Sequence, residues 1–209
     1  MSQPEPLPVS RLPKQTLHHV WSPKLQRPVV LTSRGQVRLW VMLEANPTVA
    51  TYCERPGLGS DHHGVSADFW VLRDGRPQWL TLGEQSEPVP AENASVSTSS
   101  STFIQMISTA DLDQFRVWIQ NWMSLLPYLN AGKRLIDAAL ANAVIGFFER
   151  EASFVELEQH FAQYDPVLIR TAAIAGLHSG YLLSPELVAL PWTLQTRIQR
   201  HPDSNHHAT

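Results

Sequence analysis

Cysteine is nearly missing from this 209-residue chain: Cys53 stands alone. A single thiol excludes an internal disulfide, a zinc ribbon and a Cys-x-x-Cys redox pair. No apolar run approaches the ~20 residues a membrane-spanning helix needs, so no membrane contact is expected. The opening MSQPEPLPVSRLPK lacks the apolar stretch of a signal peptide, which makes the cytoplasm the expected compartment. No Walker loop, G-x-G-x-x-G or G-x-S-x-G occurs, so neither a nucleotide cofactor nor a hydrolase nucleophile elbow is expected. An excess of positive charge is missing too. With 16 Lys and Arg against 19 Asp and Glu, the net charge is −3, which argues against a uniform nucleic-acid-binding coat.

What is present is an ordinary globular composition, 43% apolar and 17% charged, with its cations unevenly spread. Residues 1–40 carry Arg11, Lys14, Lys24, Arg27, Arg34 and Arg38 against Glu5 alone. Pro4, Pro6, Pro8 and Pro13 keep residues 1–28 extended, so the expectation is a positive arm that contacts DNA phosphates, with a solvated leader as the alternative. Val37, Leu39, Trp40, Val41, Met42 and Leu43 predict a helix that is apolar on most of its surface, as a helix packed between two layers must be. Strands are predicted at 48–53, 67–72 and 77–82. The last two are joined by Asp74-Gly75, a dipeptide that tolerates the positive φ of a tight hairpin turn. Residues 84–101 are polar, Pro/Ser-rich and aperiodic, and read as a long loop. Cys53 falls in a predicted buried strand and reads as a small core residue.

A further strand is predicted at 102–107, followed by a helix that Ser108 or Thr109 caps with its hydroxyl. Leu112, Phe115, Trp118, Ile119, Trp122, Leu125 and Leu126 recur at helical spacing, and Pro127 is expected to close or kink that helix. Burial, not base stacking, is the expected use of this stripe. A second helix is predicted over 131–150 with Leu135, Ile136, Ala139, Leu140, Ala143, Val144 and Phe147 on one face. Short helices follow at 154–161 and from Asp165-Pro166 to Leu177, before an extended piece after Gly180.

The stretch 29–83 resembles the PD-(D/E)xK nuclease core, and most closely the TnsA-type endonuclease subunit of heteromeric cut-and-paste transposases. Ser33-Arg34-Gly35-Gln36 stands where that family has Ser-x-x-Glu, so its metal-binding Glu is replaced by Gln36. Asn46 to Pro56, NPTVATYCERP, is similar to the family's phrase leading into the first long strand. Ala67-Asp68 stands for Pro-Asp, and Thr81-Leu82-Gly83 for the Glu-x-Lys of the returning strand. The resemblance implies a small restriction-endonuclease-like mixed sheet flanked by helices, covering 29–108 after an extended basic arm at 1–28. It further implies a helical connector at 109–150, a winged-helix-like module at 151–200 and a disordered tail at 201–209.

Phosphodiester hydrolysis by this superfamily needs carboxylates to hold a divalent metal and a Lys to steady negative charge. Of the four implied positions, Gln36, Asp68, Thr81 and Gly83, only Asp68 keeps its function. The implied role is therefore a catalytically degenerate accessory protein of transposition. It would bind transposon-end DNA, the transposase or a second copy of itself, and would need no cofactor. Two alternatives stand beside it: an active Mg-dependent endonuclease rearranged around Asp68, with Glu44, Glu54 or Glu84 moved into the site, and a winged-helix regulator. Arg170 and His178 are the only polar groups with groove-reading capacity on 165–178. Arg170, Tyr181 and Trp192 are thus expected to serve a protein contact instead. Asp61-His62-His63 and His18-His19 are weak metal candidates because adjacent ligands on one loop seldom form a transition-metal site. His201, His206 and His207 are weaker still.

Overall fold

The computed structural model describes residues 3–9, 16–57, 67–83 and 104–202. Arg11, Lys14, the Asp61-His62-His63 cluster, Glu84, the 84–101 loop, and His206 and His207 of the tail lie outside the described residues.

The architecture is α/β, with a mixed four-stranded sheet flanked by helices. A two-stranded hairpin comes first, β1 (His18–Ser22) and β2 (Arg27–Leu31), paired antiparallel across the turn at 23–26. This hairpin crosses the position where an extended arm was expected to give way to the folded core. The helix α1 (Arg34–Ala45) follows, capped by Ser33, whose Oγ accepts from the Gln36 amide. The sheet then runs in the order β3 (Val49–Glu54), β4 (Phe69–Arg73), β5 (Arg76–Gly83), β6 (Ile104–Ser108). The first three strands are antiparallel, and β6 lies parallel to β5. Asp74 and Gly75 both take positive φ, 48° and 71°, as the tight β4–β5 turn demands. Leu39, Val41, Leu43, Tyr52, Phe69, Val71 and Leu80 form the core between α1 and the sheet, and Cys53 is fully buried.

Ser108 caps α2 (Thr109–Gln114) in a capping box with Asp111. The helix α3 (Arg116–Gly132) carries the aromatic stripe inward: Ile119, Trp122, Leu125, Leu126 and Leu129 are buried. Pro127 does not close this helix, which continues five residues past it to Gly132. The expected helix over 131–150 is likewise interrupted. A 3-10 turn at Lys133–Leu135 precedes α4 (Ala138–Phe147), which Asp137 caps. Leu135 is 72% exposed instead of packed, because the interruption shifts the phase of the helical stripe.

The C-terminal module comprises β7 (Ala152–Ser153), α5 (Phe154–His160), α6 (Pro166–Ser179), β8 (Leu182–Leu183), α7 (Glu186–Ala189) and β9 (Arg197–Arg200). The three short strands form one sheet in the order β7-β9-β8. Asp165 caps α6, Pro166 occupies its first turn, and Gly180 ends it at φ 81°. A Cβ on Gly180 would stand 2.8 Å from Pro47 Cβ, so the absent side chain permits close contact between this module and the turn before β3. Among the described residues, no helix is long and apolar enough to cross a membrane.

Candidate functional site

Three of the four positions implied by the nuclease resemblance meet at one end of α1. Asp68, immediately before β4, sits with its backbone between two strands: its N–H donates to Leu80 O (2.9 Å) and its carbonyl accepts from Arg55 N (2.8 Å). Its carboxylate faces α1. Oδ1 accepts from Gln36 Nε2 at 2.6 Å, while Oδ2 accepts from the Leu82 amide at 2.6 Å and from Thr81 Oγ1 at 3.3 Å. The Gln36 side chain cannot turn over to offer its oxygen. Its Oε1 is fixed by the Thr32 amide (2.7 Å) and the Thr32 hydroxyl (3.0 Å), leaving only the NH₂ for Asp68.

This arrangement joins α1 to the sheet through a neutral amide, where a carboxylate at position 36 would require a cation or a proton between it and Asp68. Gly83, the position implied for the Lys, shares a strand face with Thr81. The space beside it is occupied. A Cβ built on Gly83 would lie 2.8 Å from Met106 Sδ, and Met106 pairs in register with Thr81 on the parallel neighbour β6. Among the described residues, no three His, Cys, Asp or Glu side chains gather as a metal-binding group.

Neither of the described carboxylates weighed as replacements reaches Asp68. Glu54 takes a bidentate ion pair from Arg27, at 2.8 and 2.7 Å. Glu44 is fully buried toward the other end of α1. Its Oε2 accepts from Ser22 Oγ and Tyr52 Oη, both at 2.6 Å, and its Oε1 from the Lys24 amide at 2.8 Å, with His178 Nε2 at 3.0 Å. Trp40 Nε1 donates in turn to Tyr52 Oη at 2.6 Å. Burial opposes ionisation of Glu44, yet the hydrogen bonds from His178, Ser22 and Tyr52 outweigh it and hold its carboxyl below the ordinary value of 4.5. Burial, followed by the neighbouring Glu44 charge, pushes the Tyr52 phenol well above its own ordinary value. This network, which ties β1, α1, β3 and α6 together, escaped the sequence reading. The available signal was a Glu inside an apolar helix, which burial permits only when the charge is partnered.

Of the four described cations expected to contact DNA, three are engaged within the chain. Lys24 Nζ donates to Leu43 O (3.0 Å) and Asn46 O (2.8 Å), neutralising the C-terminal end of α1, and burial lowers its pKa to about 8. Arg27 is held by Glu54, and Arg38 pairs with Asp113 at 2.6 Å. Arg34 is exposed. The three residues expected at a protein contact lie on the C-terminal module. Arg170 bonds Glu158 (2.8 Å) and Tyr128 Oη (3.2 Å), Trp192 packs edge-on against Tyr128 and Phe154, and Tyr181 is exposed. A buried Asn121 fastens the segment before Trp192 to α3: its Nδ2 donates to Leu187 O and Leu190 O, and its Oδ1 accepts from Trp192 N.

No protein-family model matches this chain, and no curated protein matches it in sequence.

Proposed function

We propose that this chain is a catalytically degenerate nuclease-fold protein of the TnsA-like kind, which serves DNA transposition as a scaffold on transposon-end DNA and the transposase without cutting. The observation that carries this reading is the Gln36–Asp68 hydrogen bond. The positions that would hold metal converge as a nuclease scaffold requires, but an amide and a hydroxyl fill the places of two carboxylates. Position 83 supports it further, since Gly83 has no side chain to take the place of the phosphate-steadying Lys.

The C-terminal module reads as a winged helix: β7, two helices, then β8 and β9 as the wing. In that reading α6 would be the recognition helix, yet Ile169, Ala172, Ala173, Ile174, Leu177 and His178 are all buried. A helix enclosed to this degree supports docking to protein over reading a DNA groove. The test is incubation of the purified protein with supercoiled plasmid and magnesium or manganese, alongside co-purification with the transposase. The expected result is capture of the transposase and no nicking. Nicking that disappears in Asp68→Ala would overturn the degenerate reading and favour an active endonuclease.

A further inference from the structure

Beyond the cations of the N-terminal segment, the tertiary structure assembles a second basic surface, a groove. A cavity of about 760 Å³ lies between the β1–β2 turn and the C-terminal end of α3, lined by Trp21, Lys24, Gln26, Asn130, Lys133 and Arg134 together with apolar neighbours. Three of these side chains are cations, and no carboxylate lines the cavity. Arg73, from the end of β4, and Lys133 both add positive potential at Lys24. Glu44 opposes them at Lys24, but it is buried behind the cavity wall, where it accepts hydrogen bonds from Ser22 and Tyr52, and it does not line the cavity. Lys133 and Arg134 are exposed and make no ion pair among the described residues. Cations in the last turn of a helix offset its dipole. Lys24 already serves the carbonyls at the end of α1, so the charge available to a ligand is that of Lys133 and Arg134.

We infer that this groove binds the phosphodiester backbone of a nucleic acid, with Lys133 and Arg134 as the contacting cations and the partly exposed indole of Trp21 forming its apolar wall. It lies toward the C-terminal end of α1, about 15 Å along the helix from Gln36, and is thus a surface separate from the vestigial site. The inference rests on the DNA-scaffold reading only in its choice of polyanion.

The test is fluorescence anisotropy of a labelled single strand and a labelled duplex, each titrated with the full chain over a range of salt, with polyglutamate as competitor. The Lys133→Ala/Arg134→Ala variant should bind about tenfold more weakly at low salt. It should flatten the log–log salt slope by up to two contacts, ~0.9 each on duplex or ~0.7 on single strand. Its melt should match the parent, since both side chains are exposed and make no ion pair among the described residues, and Lys133→Arg/Arg134→Lys should retain binding. Unchanged affinity and slope in both arms would overturn the groove while leaving the scaffold reading intact. A parent protein that binds neither nucleic acid would overturn both. Displacement by polyglutamate as effective as by unlabelled DNA would reassign the groove to acidic peptide.

Discussion

Gln36 Nε2 donates to Asp68 Oδ1 at 2.6 Å, and the opposite end of the same amide is held by Thr32. In the nuclease reading proposed above, this proton-bearing nitrogen takes the place of a carboxylate and a metal.

Replacing that amide by its isosteric acid tests whether the site retains metal-binding geometry. In Gln36→Glu two carboxylates confront each other, so one of them titrates with a raised pKa. A raised pKa stabilises below the unfolded value and loses that contribution as pH rises. With EDTA at neutral pH the melt should fall by about 1–3 kcal/mol, as for a buried acceptor left without its donor. It should recover at pH 4 or on adding manganese. A melt indifferent to both pH and manganese would mean that the two elements have separated too far to hold an ion.

Asp68 is expected to act as a structural acceptor. In Asp68→Asn the new oxygen can still accept from Leu82, but the new NH₂ meets the Gln36 NH₂, which Thr32 prevents from flipping. A loss of about 1–3 kcal/mol in chemical denaturation is expected. Asp68→Asn combined with Gln36→Glu restores a donor–acceptor pair with reversed polarity and should recover part of this loss. A double variant that is no better than the worse single one would count against direct pairing.

The Glu44 node governs acid stability. Its carboxyl pKa is depressed in the fold, so its contribution is present above pH 4.5 and lost as pH falls below that value. Glu44→Gln leaves Ser22 and Tyr52 as donors to a weaker acceptor and should cost about 1–3 kcal/mol at neutral pH, as losing hydrogen bonds to a charged group does. It should also flatten the acid limb of the stability curve. An acid limb of unchanged slope would place the titrating group elsewhere.

On the C-terminal module, Trp192→Ala should lower stability by roughly 2 kcal/mol, because the half-buried indole contacts Tyr128 and Phe154. Arg170→Ala should cost about 1 kcal/mol, a partly exposed ion pair contributing little. Tyr181→Ala should leave the melt unaltered, which makes Tyr181 the informative position for testing the proposed transposase contact. If all three variants melt like the parent, the packing of α6 onto α3 is looser than its contacts require.

The sequence by itself determined what is local. The helix over Val37–Leu43, the turn at Asp74-Gly75, the Ser108 cap, Pro166 in the first turn of α6 and its end at Gly180 each follow from periodicity, φ preference or a nearby hydroxyl, and each stands where those rules place it. The convergence of Gln36, Asp68 and Thr81 was expected from the nuclease resemblance alone, and the three side chains do meet. The pairing of charges was not legible. From the sequence Lys24 and Arg27 are expected to contact DNA phosphates and Glu44 to be able to move toward Asp68; their partners in the fold come from distant elements, up to 134 residues away, as His178 is from Glu44. Pro127 misled for a related reason. A proline removes one helical hydrogen bond at a local cost, and burial of Leu125, Leu126 and Leu129 on either side of it offsets that cost only in the folded protein. Tertiary structure alone decided which cations, such as Lys24 and Arg27, are engaged inside the molecule and which, such as Arg34, Lys133 and Arg134, face solvent.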